Sequence, residues 1–98
     1  MIRHVVMFKW ADAVDAGHVA ATTAEFATLP TLIEQIRSYS YGPDLGAVAG
    51  NFDYVVTGEF DSIDDFFAYR DHPAHQALVS TFIAPHITQR HAVQFTVS

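Results

Sequence analysis

The chain of 98 residues is the size of a single domain; half of it is apolar, 13% is aromatic and only 16% is charged, a balance that excludes intrinsic disorder. It has no cysteine, which excludes a disulfide framework, a thiolate nucleophile and a cysteine zinc site. Eleven acidic against five basic residues give a net charge of −6, the wrong sign for wrapping a phosphate backbone, so no nucleic-acid partner is expected.

Ile2 to Trp10 alternates: Ile2, His4, Val6, Phe8 and Trp10 share one face, and Arg3, Val5, Met7 and Lys9 share the other. The pattern predicts a strand with two unequal but partly apolar faces. Lys9 interrupts the apolar run and no small-residue cleavage site follows, so no signal peptide is expected and the cytoplasm is the expected compartment. No stretch approaches the ~18–20 apolar residues of a membrane span, so no membrane partner is expected either.

Asp12 or Asp15 is placed to cap a helix running to about Leu29, with Val19, Thr23 and Phe26 turned inward, and Pro30 ends or bends it. Ile36 to Tyr41 reads as a second strand, and the Gly- and Asn-containing stretch from Gly42 to Asn51 reads as a loop. Tyr54 to Phe60 alternates as a third strand, with Tyr54, Val56, Gly58 and Phe60 on one face. Ser62 followed by Asp65 resembles a capping box opening a helix with Ile63, Phe66, Phe67 and Arg70 along its stripe. Pro73 interrupts it, a further helical stretch carries Leu78, Val79, Phe82 and Ile83, and Pro85 stops that stretch. His91 to Val97 alternates as the last strand.

The order β-α-β-β-α-β predicts an α+β, ferredoxin-like domain over residues 1–98, a four-stranded antiparallel sheet with its helices on one side. Such a sheet leaves Val5 and Met7, with Val55, on a bare face. Isologous pairing with a second copy through that face covers it most simply, so a homodimer is expected.

At this point the chain resembles the stress-responsive dimeric α/β-barrel (Dabb) domain family. The resemblance is carried by Ile2-Arg3-His4-Val5-Val6-Met7-Phe8-Lys9, by the Tyr54-to-Phe60 strand followed by Asp61 and a helix, and by Tyr69-Arg70-Asp71-His72-Pro73-Ala74-His75. It implies a dimeric α/β barrel. It also implies kinship with the family's polyketide cyclase, which closes a linear thioester by aldol condensation without metal or organic cofactor. On that likeness Tyr69 and His75 are catalytic and His4 and His72 are pocket histidines. Val6, Phe8, Phe26, Val56, Ile63 and Phe66 form an apolar wall for a small hydrophobic molecule. Thr22 and Thr23 depart from the cyclase, which has aromatic residues there.

The residues carry part of this chemistry by themselves. Proline suits the first position of a helix, which sets His72 at or near the N-cap and His75 in the first turn. Helix N-terminal N–H groups disfavour an imidazolium, so a histidine there keeps a free nitrogen as a proton acceptor; the alternative is that His72 caps and His75 only packs. A buried tyrosine at position 69 either holds an oxyanion or is a core ring bonded to a carbonyl. His4 points where Ile2, Val6 and Phe8 point, so it is hydrogen-bonded in the core or lines a cavity. A metal reading, with His72 and His75 joined by His4, His86 or His91, is disfavoured by Pro73 and by the lack of a HExxH-like helix. No metal and no cofactor are expected. His18 is placed on a solvated helix face. The functional expectation is cofactor-free acid/base chemistry of aldol cyclase or isomerase type on a polyketide-like or aromatic molecule, the alternative being a protein that only binds a hydrophobic metabolite.

Overall fold

The computed structural model describes residues 1–98. The elements follow as β1 (Ile2–Trp10), α1 (Ala16–Leu32), β2 (Ser38–Pro43), β3 (Tyr54–Phe60), α2 (Ile63–Asp71), α3 (Pro73–Leu78) and β4 (Ile87–Thr96), with a π-helical turn at Val79–Ile83 and a 3-10 turn at Ala84–His86 before the last strand. All strand pairs are antiparallel in one sheet of order β2-β3-β1-β4, the ferredoxin-like βαββαβ topology. No helix is long and apolar enough to cross a membrane.

Local chemistry sets the helix starts. Asp15, not Asp12, caps α1, its Oδ1 accepting from the His18 N–H at 2.9 Å, and the Ser62 hydroxyl accepts from the Asp65 N–H at 3.1 Å to open α2. α1 continues past the expected end at Leu29 to Leu32 with Pro30 inside it. Pro30 is exposed and sits in the final turn, so its missing N–H removes the bond to the Phe26 carbonyl and only two helical residues follow it. The inward residues of α1 are Thr22, Phe26 and Leu29; Thr23 is half-buried and shares a 2.7 Å hydrogen bond with the Tyr54 hydroxyl. On α2 only Phe66 and Tyr69 are buried. Ile63, Phe67 and Arg70, expected on the inward stripe, are exposed, because this nine-residue helix meets the sheet over little more than one turn.

Two strands extend beyond their expected bounds. β2 includes Gly42 and Pro43, paired to Val55 and Tyr54; a proline is tolerated there because β2 is an edge strand. β4 begins at Ile87 rather than His91 and pairs along the whole of β1, from Trp10↔Ile87 to Ile2↔Thr96, with a register shift at Lys9/Trp10. Its early residues are polar because an edge strand is open to water on both faces, so their hydropathy carries no strand signal.

The core lies between the sheet and the helices: Val6, Phe8, Tyr54, Val56 and Phe60 from the sheet meet Phe26, Leu29, Phe66, Tyr69, Leu78 and Ile83 from above. The opposite sheet face carries Met7, Val55, Val93 and Phe95, each more than a third exposed, with half-buried Val5 among them. An Arg3–Glu59 ion pair at 3.0 Å borders this apolar strip.

Candidate active site

His4, Tyr69 and His75 line one cavity of about 280 Å³ under the helices, close to the ~300 Å³ lower end for ligand sites. Val6, Phe8, Phe26, Val56 and Phe66 line its wall, joined by Val79, Ile83 and Ala84 from the turns before β4 and by Ile87, the first residue of β4. Its three polar rings arrive from separate elements. His4 comes from the middle of β1, Tyr69 from the inward row of α2, one turn after Phe66, and His75 from the first turn of α3. The break between α2 and α3, with Pro73 at the first position of the new helix, brings His75 back over Tyr69. Their ring centroids lie 4.4 Å apart.

Hydrogen-bond partners assign each ring's tautomer. A carbonyl only accepts, so the 3.0 Å contact between His75 Nδ1 and the Arg70 carbonyl places the proton on Nδ1 and leaves Nε2 as the free acceptor. At His4 the reverse holds: Gln94 Nε2 donates to Nδ1 at 2.9 Å, so the His4 proton sits on Nε2. Burial pushes the His4 pKa down to about 4, helped by the charges of Arg90 and His75. Burial also lowers that of His75, against the pull of the Arg70 carbonyl. Both imidazoles are therefore neutral at pH 7, one an acceptor and one a donor.

Tyr69 is 1% exposed, and its hydroxyl lies 2.6 Å from that of Tyr39 on β2. Burial raises the Tyr69 pKa to about 12, and burial together with Tyr69 raises that of Tyr39 further, so both phenols keep their protons at neutral pH.

Two expected pocket residues lie elsewhere. Ile63 is the first residue of α2, 43% exposed and outside the cavity. His72 is the N-cap of α3, its Nδ1 accepting from the Ala74 N–H at 3.0 Å. The capping alternative describes its contact, and it does not line the cavity. His18 is a third departure. It is half-buried, its Nε2–H donates to the Phe82 carbonyl at 2.9 Å, and its ring lies 4.1 Å from His86 and 5.6 Å from Trp10. No three His, Asp or Glu side chains converge as a metal site: His86 stands beside His18, and His91 lies on the bare face against Phe52.

Gln94, Arg90 and Tyr39 belong to the site and were not among the expected residues. The signal for the first two lies in register. Once β4 is paired antiparallel to β1, Gln94 stands opposite His4 and Arg90 opposite Phe8, on the helix side. The apolar alternation of His91, Val93 and Phe95 marks the other face.

A ferredoxin-like sheet with a cavity under its helices, lined by two neutral imidazoles and a phenol, defines a small α+β domain with a candidate site between sheet and helices. The model of the stress-responsive A/B barrel domain matches residues 2–97, and the chain belongs to that family. An uncharacterised protein of Streptomyces coelicolor is 34% identical over 82 residues, 82% of this chain and 84% of its own length. The crystal structure of a dimeric ferredoxin-like protein of unknown function from Thermobifida fusca shares 41% identity and a TM-score of 0.91 over 98% of this chain and 90% of that one. The hydroxynitrile lyase of Passiflora edulis has the same fold, with a TM-score of 0.85 over 99% of this chain and 93% of that one at 18% identity.

Proposed function

We propose that this protein is a homodimer, joined through its bare sheet face, whose cavity performs cofactor-free acid/base chemistry of the aldol cyclase or isomerase type on a small enolisable carbonyl compound. The observation that carries the reading is the complementary pair of tautomers. His75 Nε2 is a free proton acceptor, and His4 Nε2 is a donor in the same apolar space. In the step envisaged, His75 Nε2 takes the proton from a carbon next to the carbonyl, and the electron pair of that C–H bond becomes the enolate. His4 Nε2–H and the Tyr69 hydroxyl hold the enolate oxygen. With Tyr39 donating to Tyr69, the Tyr69 proton is free for the cavity. In a cyclisation the enolate carbon attacks a second carbonyl of the same molecule, and protonated His75 returns its proton to the new alkoxide. In an isomerisation the proton returns to a different carbon. The dimeric state of the Thermobifida fusca structure supports the assembly. The Passiflora edulis protein supports including cyanohydrins among the compounds tried, since their cleavage also begins with removal of a proton, there from a hydroxyl.

The test is a screen of linear β-polyketide thioesters, small ketones and cyanohydrins with a chelator present. His75→Ala is expected to lower turnover by ~10²–10⁴-fold. Tyr69→Phe keeps the ring and its packing but leaves the Tyr39 hydroxyl without its partner, so it is expected to lower turnover at a cost of about 1–3 kcal/mol in stability. Turnover that survives both substitutions together would overturn the assignment. Saturable binding without turnover of any compound would favour the purely binding protein.

A further inference from the structure

Eleven acidic residues outnumber five basic ones in the chain, yet no Asp or Glu lines the cavity, while Arg70 and Arg90 both do. Arg70 is committed elsewhere: its guanidinium bonds Asp71 at 2.9 and 3.2 Å and lies 4.6 Å from the Phe67 ring centroid. Arg3 and Arg37 are likewise paired, to Glu59 and Asp61, and Lys9 lies against Phe52. Arg90 is the one basic side chain with neither a carboxylate nor an aromatic ring as partner, and it stands at the β4 side of the cavity. Its charge reaches all three polar rings, lowering the pKa of His4, His75 and Tyr69.

An unpaired guanidinium at the rim of an apolar cavity in an acidic protein selects against neutral ligands in favour of anions, through a planar fork of donors that matches a carboxylate. A single free cation suits one negative charge better than the two of a phosphate ester. We propose that Arg90 is the anion-binding residue of this cavity and that the carbonyl compound it takes carries a carboxylate, a substrate class that rests on reading the cavity as a carbonyl site. Arg90 holds the carboxylate at the β4 side. The apolar wall of Val6, Phe8 and Ile83 takes the body of the molecule, and the carbonyl is left to His4, Tyr69 and His75. Arg90 acts in specificity and touches no reacting atom.

Calorimetric titration with β-benzoylpropionate and with its methyl ester tests this, because the pair shares the aryl ketone body and differs in the negative charge and one methyl group. The wild-type protein is expected to prefer the free carboxylate by about tenfold. Arg90→Gln is expected to abolish that preference by lowering the affinity for the carboxylate to that for the ester, and Arg90→Lys to retain part of it in a form that weakens with salt. Equal affinities in the wild-type protein, a preference that survives Arg90→Gln, or no saturable binding of either compound would each overturn the proposal. Deuterium exchange next to the ketone, followed by NMR in D2O, is read on the same samples. Loss of exchange with the carboxylate preference intact counts against the acid/base reading alone, and exchange without the preference counts against Arg90 alone.

Discussion

At the scale of single residues, burial gives His4 its chemistry and makes it a liability in acid. Its pKa is near 6.5 in the unfolded chain and about 4 when folded. Between those values the unfolded state binds more protons, so stability rises with pH. The contribution is complete above about pH 6.5 and is lost as pH falls through 4. A shift of this size corresponds to roughly 3 kcal/mol. Urea unfolding at pH 4.5 and 7.0 should therefore show a drop in acid that His4→Asn reduces; an unchanged pH dependence in the variant would mean the loss arises elsewhere. His75 obeys the same sign. Its depressed pKa predicts a rate that is flat at pH 7 and above and falls only below the ordinary imidazole range, while Tyr69, at about 12, places no alkaline limb near neutrality. A limb centred at or above pH 7 would show that His75 is not the base.

At the scale of elements, Gly58 shows how the sheet makes room for the site. It stands opposite His4 on β1 and Tyr39 on β2. A Cβ there would lie 3.2 Å from Phe60 Cε2 and 3.2 Å from Tyr39 Cδ1. Neither ring can yield, because Phe60 is fully buried and Tyr39 is held through its hydroxyl by Tyr69. Gly58→Ala should therefore destabilise by about 1–2 kcal/mol despite the usual gain from replacing a strand glycine, and it should impair any function that depends on Tyr69. A denaturation midpoint at or above the wild-type value would show that the rings can move. The elements legible in the sequence were those with a local cause: the alternation of β1 and β3, and the Asp15 and Ser62 caps. The position of His75 in a first helical turn was legible for the same reason, through the proline that starts its helix, whereas Tyr69 was singled out by the family resemblance. What escaped was set by tertiary pairing. The start of β4 has no hydropathy signal of its own, the role of Gln94 exists only through the register with His4, and His18 looks solvated until the turn at Val79–Ile83 packs over it. Ile63 has the right spacing for the inward stripe, but α2 is too short to bury it.

For the whole molecule, the bare sheet face and the cavity lie on opposite sides of one sheet, so assembly and ligand binding can be separated. Across the three strands, Val55–Met7–His91 and Thr57–Val5–Val93 form adjacent cross-strand rows, with Glu59–Arg3–Phe95 as the next. Met7 and Val5 therefore occupy the centre of the apolar face, and the Arg3–Glu59 ion pair its border. Isologous pairing of two such faces places Met7 where a charge would be desolvated without a partner, so Met7→Lys should weaken association by several kcal/mol. The protomer itself should be untouched. Met7 is 42% exposed and contributes nothing to the core under the helices, so a lysine there can reach water once the copies separate. Sedimentation velocity at micromolar concentration should give a dimer for the wild-type protein and a folded monomer with unchanged far-ultraviolet circular dichroism for the variant. A wild-type monomer at that concentration would remove the proposed assembly. In the monomeric variant the cavity lining from His4 to Arg90 is intact, so its affinity for β-benzoylpropionate should equal that of the dimer. A lost affinity would mean instead that the second copy shapes the site through the shared sheet.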